Sequence, residues 1–258
     1  MRYVCVVEYD GSPFNGWQRQ SGAPSVQEAI ENAVRRFCGA DVRAFASGRT
    51  DAGVHAEGQV FHVDLPREYA EETVRDALNA HLRPHPVAIL SARKISDDFH
   101  ARFSCTKRIY RYDMFCRRAG APLLRGRAWE LHVPLCVNAM RDAAAVLTGR
   151  HDFTSFRDSE CQAKSPVKTL TSLRVETEGR GGGAFVRFQV EAPSFLHHMV
   201  RIIVGSLTEI GRGARNVAWI TDVLAAKKRA AAGPTAPACG LYFVRAEYEE
   251  REIFRDAP

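Results

Sequence analysis

Two hydrophobic rhythms alternate along this chain in one order, and that order recurs. Residues 3–8 read as a strand, and Ser25-Val26-Gln27-Glu28 then offers a capping box, with a Ser hydroxyl for an orphan amide and Glu reaching back. Val26, Ala29, Ile30, Ala33, Val34 and Phe37 follow at helical spacing. Strands are predicted near 41–47 and 58–65, then a helix near 69–81 that Pro84 and Pro86 terminate, then a strand through 87–90. The order is β-α-β-β-α-β, the ferredoxin-like pattern. The second half repeats it more loosely. A strand near 106–116 precedes a helix near 136–148 and a strand near 168–177, and Gly179 to Gly183 turn the chain into an alternating strand over 184–190. Helices near 196–211 and 217–229 and a last strand near 241–248 complete it. The fold class is therefore α+β: two ferredoxin-like (βαββαβ) halves with antiparallel sheets, divided into residues 1–104 and 105–258.

A chain of 258 residues suits one large domain or two modest ones and can bury a core without staples. Seven scattered cysteines with no C-x-x-C pair argue against a disulfide framework or a zinc site. No uncharged apolar run approaches the roughly 18 residues of a membrane span. The N-terminal segment carries Glu8 too early for a secretory signal and reads as a first strand, so a cytoplasmic location is expected.

The net charge is +6, carried by 30 Arg and 6 Lys. GC-rich codon usage would account for that ratio, but the position of the charge says more. Between Ala101 and Trp129 eight basic residues, among them Arg102, Lys107, Arg108 and Arg111, face one acid, Asp113. Phe103, Tyr110, Tyr112, Phe115 and Trp129 are interleaved with them. Guanidinium groups bind phosphates bidentately and aromatic faces stack on bases, which makes nucleic acid the leading partner. A solvated basic face with core aromatics would give the same pattern.

The densest chemistry lies in Ser47-Gly48-Arg49-Thr50-Asp51-Ala52-Gly53-Val54-His55-Ala56. This connection is too long for a tight hairpin, and its glycines permit unusual dihedrals and close approach. Spacing alone fits a functional site and an Asx-type turn at Asp51 equally well. Other candidates are weaker. His81 and His85 are separated by Pro84 near a helix end, and His197-His198 should point in different directions from a helix, which argues against a metal site. Gly179–Gly183 lacks the following helix that a phosphate loop needs, and no Gly-x-Ser-x-Gly elbow is present.

The segment Gly48-Arg49-Thr50-Asp51-Ala52-Gly53-Val54-His55-Ala56 resembles the signature of the TruA-type tRNA pseudouridine synthases. The resemblance runs through Tyr9-Asp10-Gly11, Phe14-Asn15-Gly16-Trp17-Gln18, Phe99-His100-Ala101-Arg102-Phe103-Ser104 and Tyr110-Arg111-Tyr112. It continues in His151-Asp152-Phe153, Ser165-Pro166-Val167, Phe195-Leu196-His197-His198-Met199-Val200-Arg201 and Gly240-Leu241-Tyr242. It implies a pseudouridine-synthase fold with a central basic cleft, a homodimer, tRNA as partner, and no cofactor or metal. It implies isomerisation of uridine at positions 38–40, on the 3′ side of the anticodon stem–loop, through a covalent aspartate intermediate with the base flipped out. Carried over by motif, Asp51 is the nucleophile, Arg201 pairs with it, and Tyr110 sits against the base. Arg49, Thr50 and Leu241 join Tyr110 at the substrate, while Arg102, Lys107, Arg108 and Arg111 meet the RNA. Two positions depart from the family pattern: Ile202 stands where Asn usually follows the arginine, and Lys168 where Arg often follows Ser-Pro-Val.

The chemistry fits those residue types. Breaking the N-glycosidic bond, turning uracil and rejoining it through C5 changes nothing in composition, and a carboxylate can hold one fragment meanwhile. Full burial raises a carboxyl pKa by up to about 3–5 units, whereas an adjacent arginine lowers it by about 1–3. A closed pocket therefore requires a guanidinium beside the nucleophile. A tyrosine offers a flat ring for uracil and a hydroxyl that could relay the C5 proton. Extruding the base costs a few kcal/mol, and Arg49 is placed to fill the vacated stack or hold the phosphate, or else to anchor its own loop. A non-catalytic RNA-binding module and a metal-dependent nuclease are the competing classes.

Overall fold

A computed structural model describes residues 1–249. In chain order its elements are β1 (Arg2–Tyr9), α1 (Val26–Cys38), β2 (Phe45–Ala46), β3 (His55–Asp64), α2 (Glu71–Leu82), β4 (Val87–Ile95) and β5 (Cys105–Cys116). There follow β6 (Trp129–Leu131), α3 (Val137–Leu147), β7 (Gly149–Asp152), β8 (Val167–Leu170), β9 (Ser172–Arg180) and β10 (Gly183–Ala192). The last are α4 (Met199–Gly211), α5 (Trp219–Ala226) and β11 (Leu241–Tyr248). The fold is α+β with mostly antiparallel pairing, as the sequence pattern predicts. Among the described residues no helix is long and apolar enough to cross a membrane. Two compact units emerge among the described residues: residues 1–108 together with residues 242–249, and Ile109–Leu241.

The first unit is built on the strand order β4-β1-β3-β11. β1 pairs antiparallel with both β3 and β4 and contributes buried Tyr3, Val4, Cys5, Val6, Val7 and Tyr9. α1 starts at Ser25, whose hydroxyl accepts the Glu28 amide at 3.2 Å, and ends at Gly39 in the left-handed region (φ 75°), whose amide closes on the Arg35 carbonyl. The reciprocal half of the expected capping box does not form; the Glu28 carboxylate meets Arg19 at 3.5 Å. Val26, Ala29, Ile30, Ala33 and Val34 are the buried face of this helix.

The strand predicted over 41–47 shrinks to Phe45–Ala46, which pairs with His62 and Phe61 near the end of β3. The rest of that β3 edge is occupied by β11, which runs parallel to it with Tyr242 opposite His55 and Phe243 opposite Ala56. The strands come close enough that a Cβ on Gly58 would stand 2.7 Å from the Val244 carbonyl oxygen.

In the second unit β5, β10 and β9 are consecutive, with β6 paired to β5. The glycine turn forms as the sequence predicts: Gly181 and Gly182 both take positive φ (55° and 73°), which a two-residue hairpin of the primed type requires. The strand predicted over 168–177 is divided, β8 pairing with β7 in a separate two-stranded sheet before β9 begins. α4 is apolar nearly all round and buried. A Cβ on Gly205 would meet the Pro234 carbonyl at 1.8 Å, and Ser206 Oγ donates to Ile202 O while accepting the Gly233 amide, so residues 233–236 lie directly on the helix.

His62, 1% exposed on β3, accepts the Ala101 amide at Nδ1. Burial, followed by the nearby charges of Arg2 and His100, pushes its pKa down to about 4, against a smaller upward pull from Asp64. A histidine depressed in the fold binds fewer protons there than in the unfolded chain. Its contribution is present above about pH 6.5 and is lost as pH falls towards 4. The urea midpoint should therefore decline between pH 7 and pH 4.5, and His62→Leu should flatten that decline. An unchanged slope in the variant would contradict the assignment.

Candidate active site

The connection between β2 and β3 is fixed along its length by groups of the first unit. Ser47 donates its amide to Val60 O (2.7 Å) and its hydroxyl to Gln59 Oε1 (2.5 Å), while Gln59 Nε2 donates to Gly48 O (2.8 Å). The buried Arg108 guanidinium donates twice to Ser47 O, at 3.0 and 2.7 Å, and once to Arg102 O at 2.9 Å. Thr50 shares a hydrogen bond of 2.7 Å with the Tyr9 hydroxyl. Burial drives the Tyr9 pKa far above its ordinary value, and the charge of Asp51 acts in the same direction, so the hydroxyl stays protonated. Beyond Asp51 the Val54 amide closes a turn on the Asp51 carbonyl (3.1 Å), and Gly53, at φ 77°, donates to Phe14 O.

The opposite wall is the segment 11–17. Trp17 donates its amide to Thr50 O at 3.0 Å. Gly16 has φ 89°, and a Cβ there would sit 2.5 Å from Thr50 O and 3.1 Å from the Asp51 carbonyl carbon. A Cβ on Gly11 would sit 2.0 Å from Val54 O. Segment 14–17 is held in turn by α1, whose otherwise unpaired first amides, Val26 and Gln27, donate to Gly16 O and Trp17 O. Helix start, glycine segment and loop are one stack. Asp51 lies half-buried at its end.

The basic residues divide by direction. Arg49 and Arg102 are exposed. Partial burial, then the charges of Arg102 and Arg43, lower the Arg49 pKa. Arg108 does not fit the expectation of a phosphate contact, because its guanidinium is turned inward onto backbone carbonyls. Lys107 Nζ pairs with Glu247 at 3.1 Å, and Arg111 Nε pairs with buried Asp113 at 2.9 Å, so both are engaged within the protein. Sequence composition shows that such residues cluster; it carries no sign of which way each turns.

The second unit holds the remaining candidates. Tyr110, on β5, is buried with its ring edge-on to Phe195 at 5.0 Å. Arg201, in the first turn of α4, donates from Nε to Ala236 O at 2.8 Å, and Ala236 returns its amide to Arg201 O at 3.1 Å. The chain lying on α4 thus orients this guanidinium. Leu241 is buried at the start of β11. Ile202 lies in the core face of α4, and Lys168 shares a shallow polar depression with Arg150, Ser165, Thr169 and Ser194.

His197 and His198 correct an expectation. They precede α4 instead of riding on it, and His198 adopts a left-handed backbone (φ 58°). That bend brings the two rings to 3.9 Å from each other, with His198 Nδ1 2.8 Å and His197 Nδ1 3.9 Å from Asp158. The Glu160 amide, and then His198, hold the Asp158 carboxyl below its usual range. Sequence reasoning passed over Asp158 and the Tyr9–Thr50 bond. Each couples residues about 40 positions apart, and no local spacing signals that.

The sequence profile of the tRNA pseudouridine synthases matches residues 5–104 and 143–249. The chain belongs to the tRNA pseudouridine synthase family. It is 53% identical to tRNA pseudouridine synthase A of Afipia carboxidovorans over 96% of its own length and 99% of the relative's. It is 50% identical to the protein of that name from Parvibaculum lavamentivorans, over the same shares, and 52% identical to that from Rhodospirillum centenum. Synthases of this family are isomerases that convert uridine to pseudouridine in tRNA, and this chain is one of them.

The Gly16 contact yields a test within the synthase. Gly16→Ala must either strain a positive φ or displace Thr50 and Asp51, and a misplacement of about 1 Å, even from a mutation far from the chemistry, can cost about 100-fold in rate. Pseudouridine formation should fall by about that factor while the circular dichroism spectrum is retained. Wild-type turnover in a folded variant would show that the close approach does not set the position of Asp51.

Proposed function

We propose that this synthase acts on uridines 38–40, on the 3′ side of the tRNA anticodon stem–loop, with Asp51 as the covalent nucleophile. The observation that carries the reading is the clamped loop. Its amides and carbonyls are fixed on both sides of Asp51, leaving a carboxylate on rigid backbone within a family-signature segment. Preorganisation of that kind is what a covalent catalyst needs, because the loop is ordered before the substrate arrives.

The reaction breaks N1–C1′ and forms C5–C1′. C5 gives up its proton, N1 acquires one, and no electrons are exchanged with a cofactor. Asp51 attacks either ribose C1′, releasing uracil as the leaving group, or uracil C6, giving an adduct that weakens the glycosidic bond; both demand an ionised carboxylate. Arg201 supplies the guanidinium that keeps it ionised as water is excluded. Tyr110 offers its ring to uracil and its hydroxyl to the departing C5 proton. Arg49, exposed and two residues before the nucleophile, takes the vacated stack or the flanking phosphate. Thr50 and Leu241 complete the substrate-binding set. The working form is a cytoplasmic homodimer, in which one subunit grips the body of a tRNA while its partner modifies the anticodon arm.

Asp51→Asn keeps shape and removes nucleophilicity. Pseudouridine formation should become undetectable, a loss of several tenfold steps at about 1.4 kcal/mol each, while tRNA affinity changes less than about tenfold. Arg201→Lys should be intermediate in rate, because it keeps the charge and loses the planar fork. Affinity and product formation measured on the same preparations check both expectations. Near-normal product from folded Asp51→Asn would remove Asp51 from the nucleophile role.

A further inference from the structure

We propose that Phe103, His100 and Phe45 form a stacking platform for an unpaired base of the bound tRNA, with Arg43 and Arg102 receiving the flanking phosphates. The proposal rests on the tRNA reading above and adds a binding site that lies outside the proposed catalytic set. Phe103 is 76% exposed and Phe45 38% exposed, unusual for rings of that size. They are not isolated. The Phe103 ring lies 4.4 Å from that of His100, which lies 5.6 Å from Phe45, and Phe45 stacks on the buried His62 ring at 5.1 Å and 15°. The result is a continuous row of ring contacts, stacked at His62 and tilted beyond it, that begins in the core at His62 and ends in solvent at Phe103.

The imidazoles hold this row in place. His100 accepts the Arg102 amide at Nδ1 and gives its own amide to Ser104 Oγ, and His62 accepts the Ala101 amide. Burial and the surrounding arginines lower both histidine pKa values, so at neutral pH the rings are uncharged and the positive charge of the patch belongs to arginine alone. Arg43 lies over Phe45 at 5.5 Å and Arg102 over Phe103 at 5.8 Å, each guanidinium beside a ring. The charges of Arg102 and Arg43 both act against that of Arg49, and among the described residues none of the three forms an ion pair with a carboxylate.

Exposed aromatic faces flanked by arginines without acidic partners are complementary to a single-stranded nucleotide, which brings a flat base and an anionic phosphate together. A second copy of this chain is a poorer occupant. A patch paired with itself at a two-fold axis would set the three arginines against their own copies. The platform also adjoins the nucleophile loop, since the Arg108 guanidinium bonds both Ser47 O in that loop and Arg102 O. A base unstacked next to the flipped uridine would find a surface there.

The test measures tRNA affinity across a salt series for the full-length protein and for Phe103→Ala, Phe103→Trp and Arg102→Ala, together with their masses by light scattering. Phe103→Ala should weaken binding by about 5- to 100-fold without changing the log-affinity against log-salt slope, since it removes stacking and no charge. Phe103→Trp should restore affinity, and Arg102→Ala should flatten the slope by about 0.7–0.9. Unchanged affinity of Phe103→Ala would overturn the platform. So would weakening accompanied by a halved mass, which would assign the face to a second copy. Wild-type protein that binds the tRNA but forms no pseudouridine would instead defeat the catalytic reading, and the platform would still be judged on the affinities.

Discussion

The Thr50 carbonyl lies where any side chain on residue 16 would have to be, and the position of Asp51 follows from that close approach. Glycine with positive φ lets the backbone of 14–17 press against the loop, Trp17 donates to the Thr50 carbonyl, and Gly53 donates back to Phe14. The first amides of α1 then use the far side of the same segment as their cap. Moving the loop would therefore break the helix start, the Tyr9–Thr50 bond and the Gln59–Gly48 bond together. Groups that satisfy one another in this way resist local opening more than a surface loop ordinarily does.

Charge in this protein does two different jobs, and burial separates them. Arg108 spends its guanidinium on the carbonyls of Ser47 and Arg102 and so acts on backbone geometry, whereas the Ala236 carbonyl takes one nitrogen of Arg201 and orients it. Arg111 and Arg187 share the buried Asp113 carboxylate. Arg43, Arg49 and Arg102 are exposed, with the charges of Arg43 and Arg102 acting against that of Arg49, and the proposed platform assigns phosphate contacts to Arg43 and Arg102. A net charge of +6 is thus a poor guide to the RNA surface unless the inward arginines are set apart.

The strand and helix order was legible because each element carries its own rhythm and punctuation: the Ser25 cap, the Gly181-Gly182 turn, the apolar face of α1. Where the reading failed, distant chain segments decided. The strand expected over 41–47 survives only at Phe45–Ala46, because β11, from the far end of the chain, takes the remaining β3 edge, and Gly58 clears room for it. The relation of His197 to His198 depended on a left-handed residue, which a non-glycine side chain does not advertise. The Asp51 loop was visible as a cluster of residue types. What fixes it in place is its bonds to residues 9, 14, 17 and 59 and the close approach of Gly16, and local sequence does not encode them.

The most direct measurement of the central claim is a pseudouridine map of total tRNA from cells lacking this protein, complemented with the wild-type gene or with the Asp51→Asn gene. The account predicts that pseudouridine at positions 38–40 disappears in the deletion strain, returns with the wild-type gene and does not return with Asp51→Asn. Pseudouridine at those positions in the deletion strain, or its return with the Asp51→Asn gene, would contradict the account.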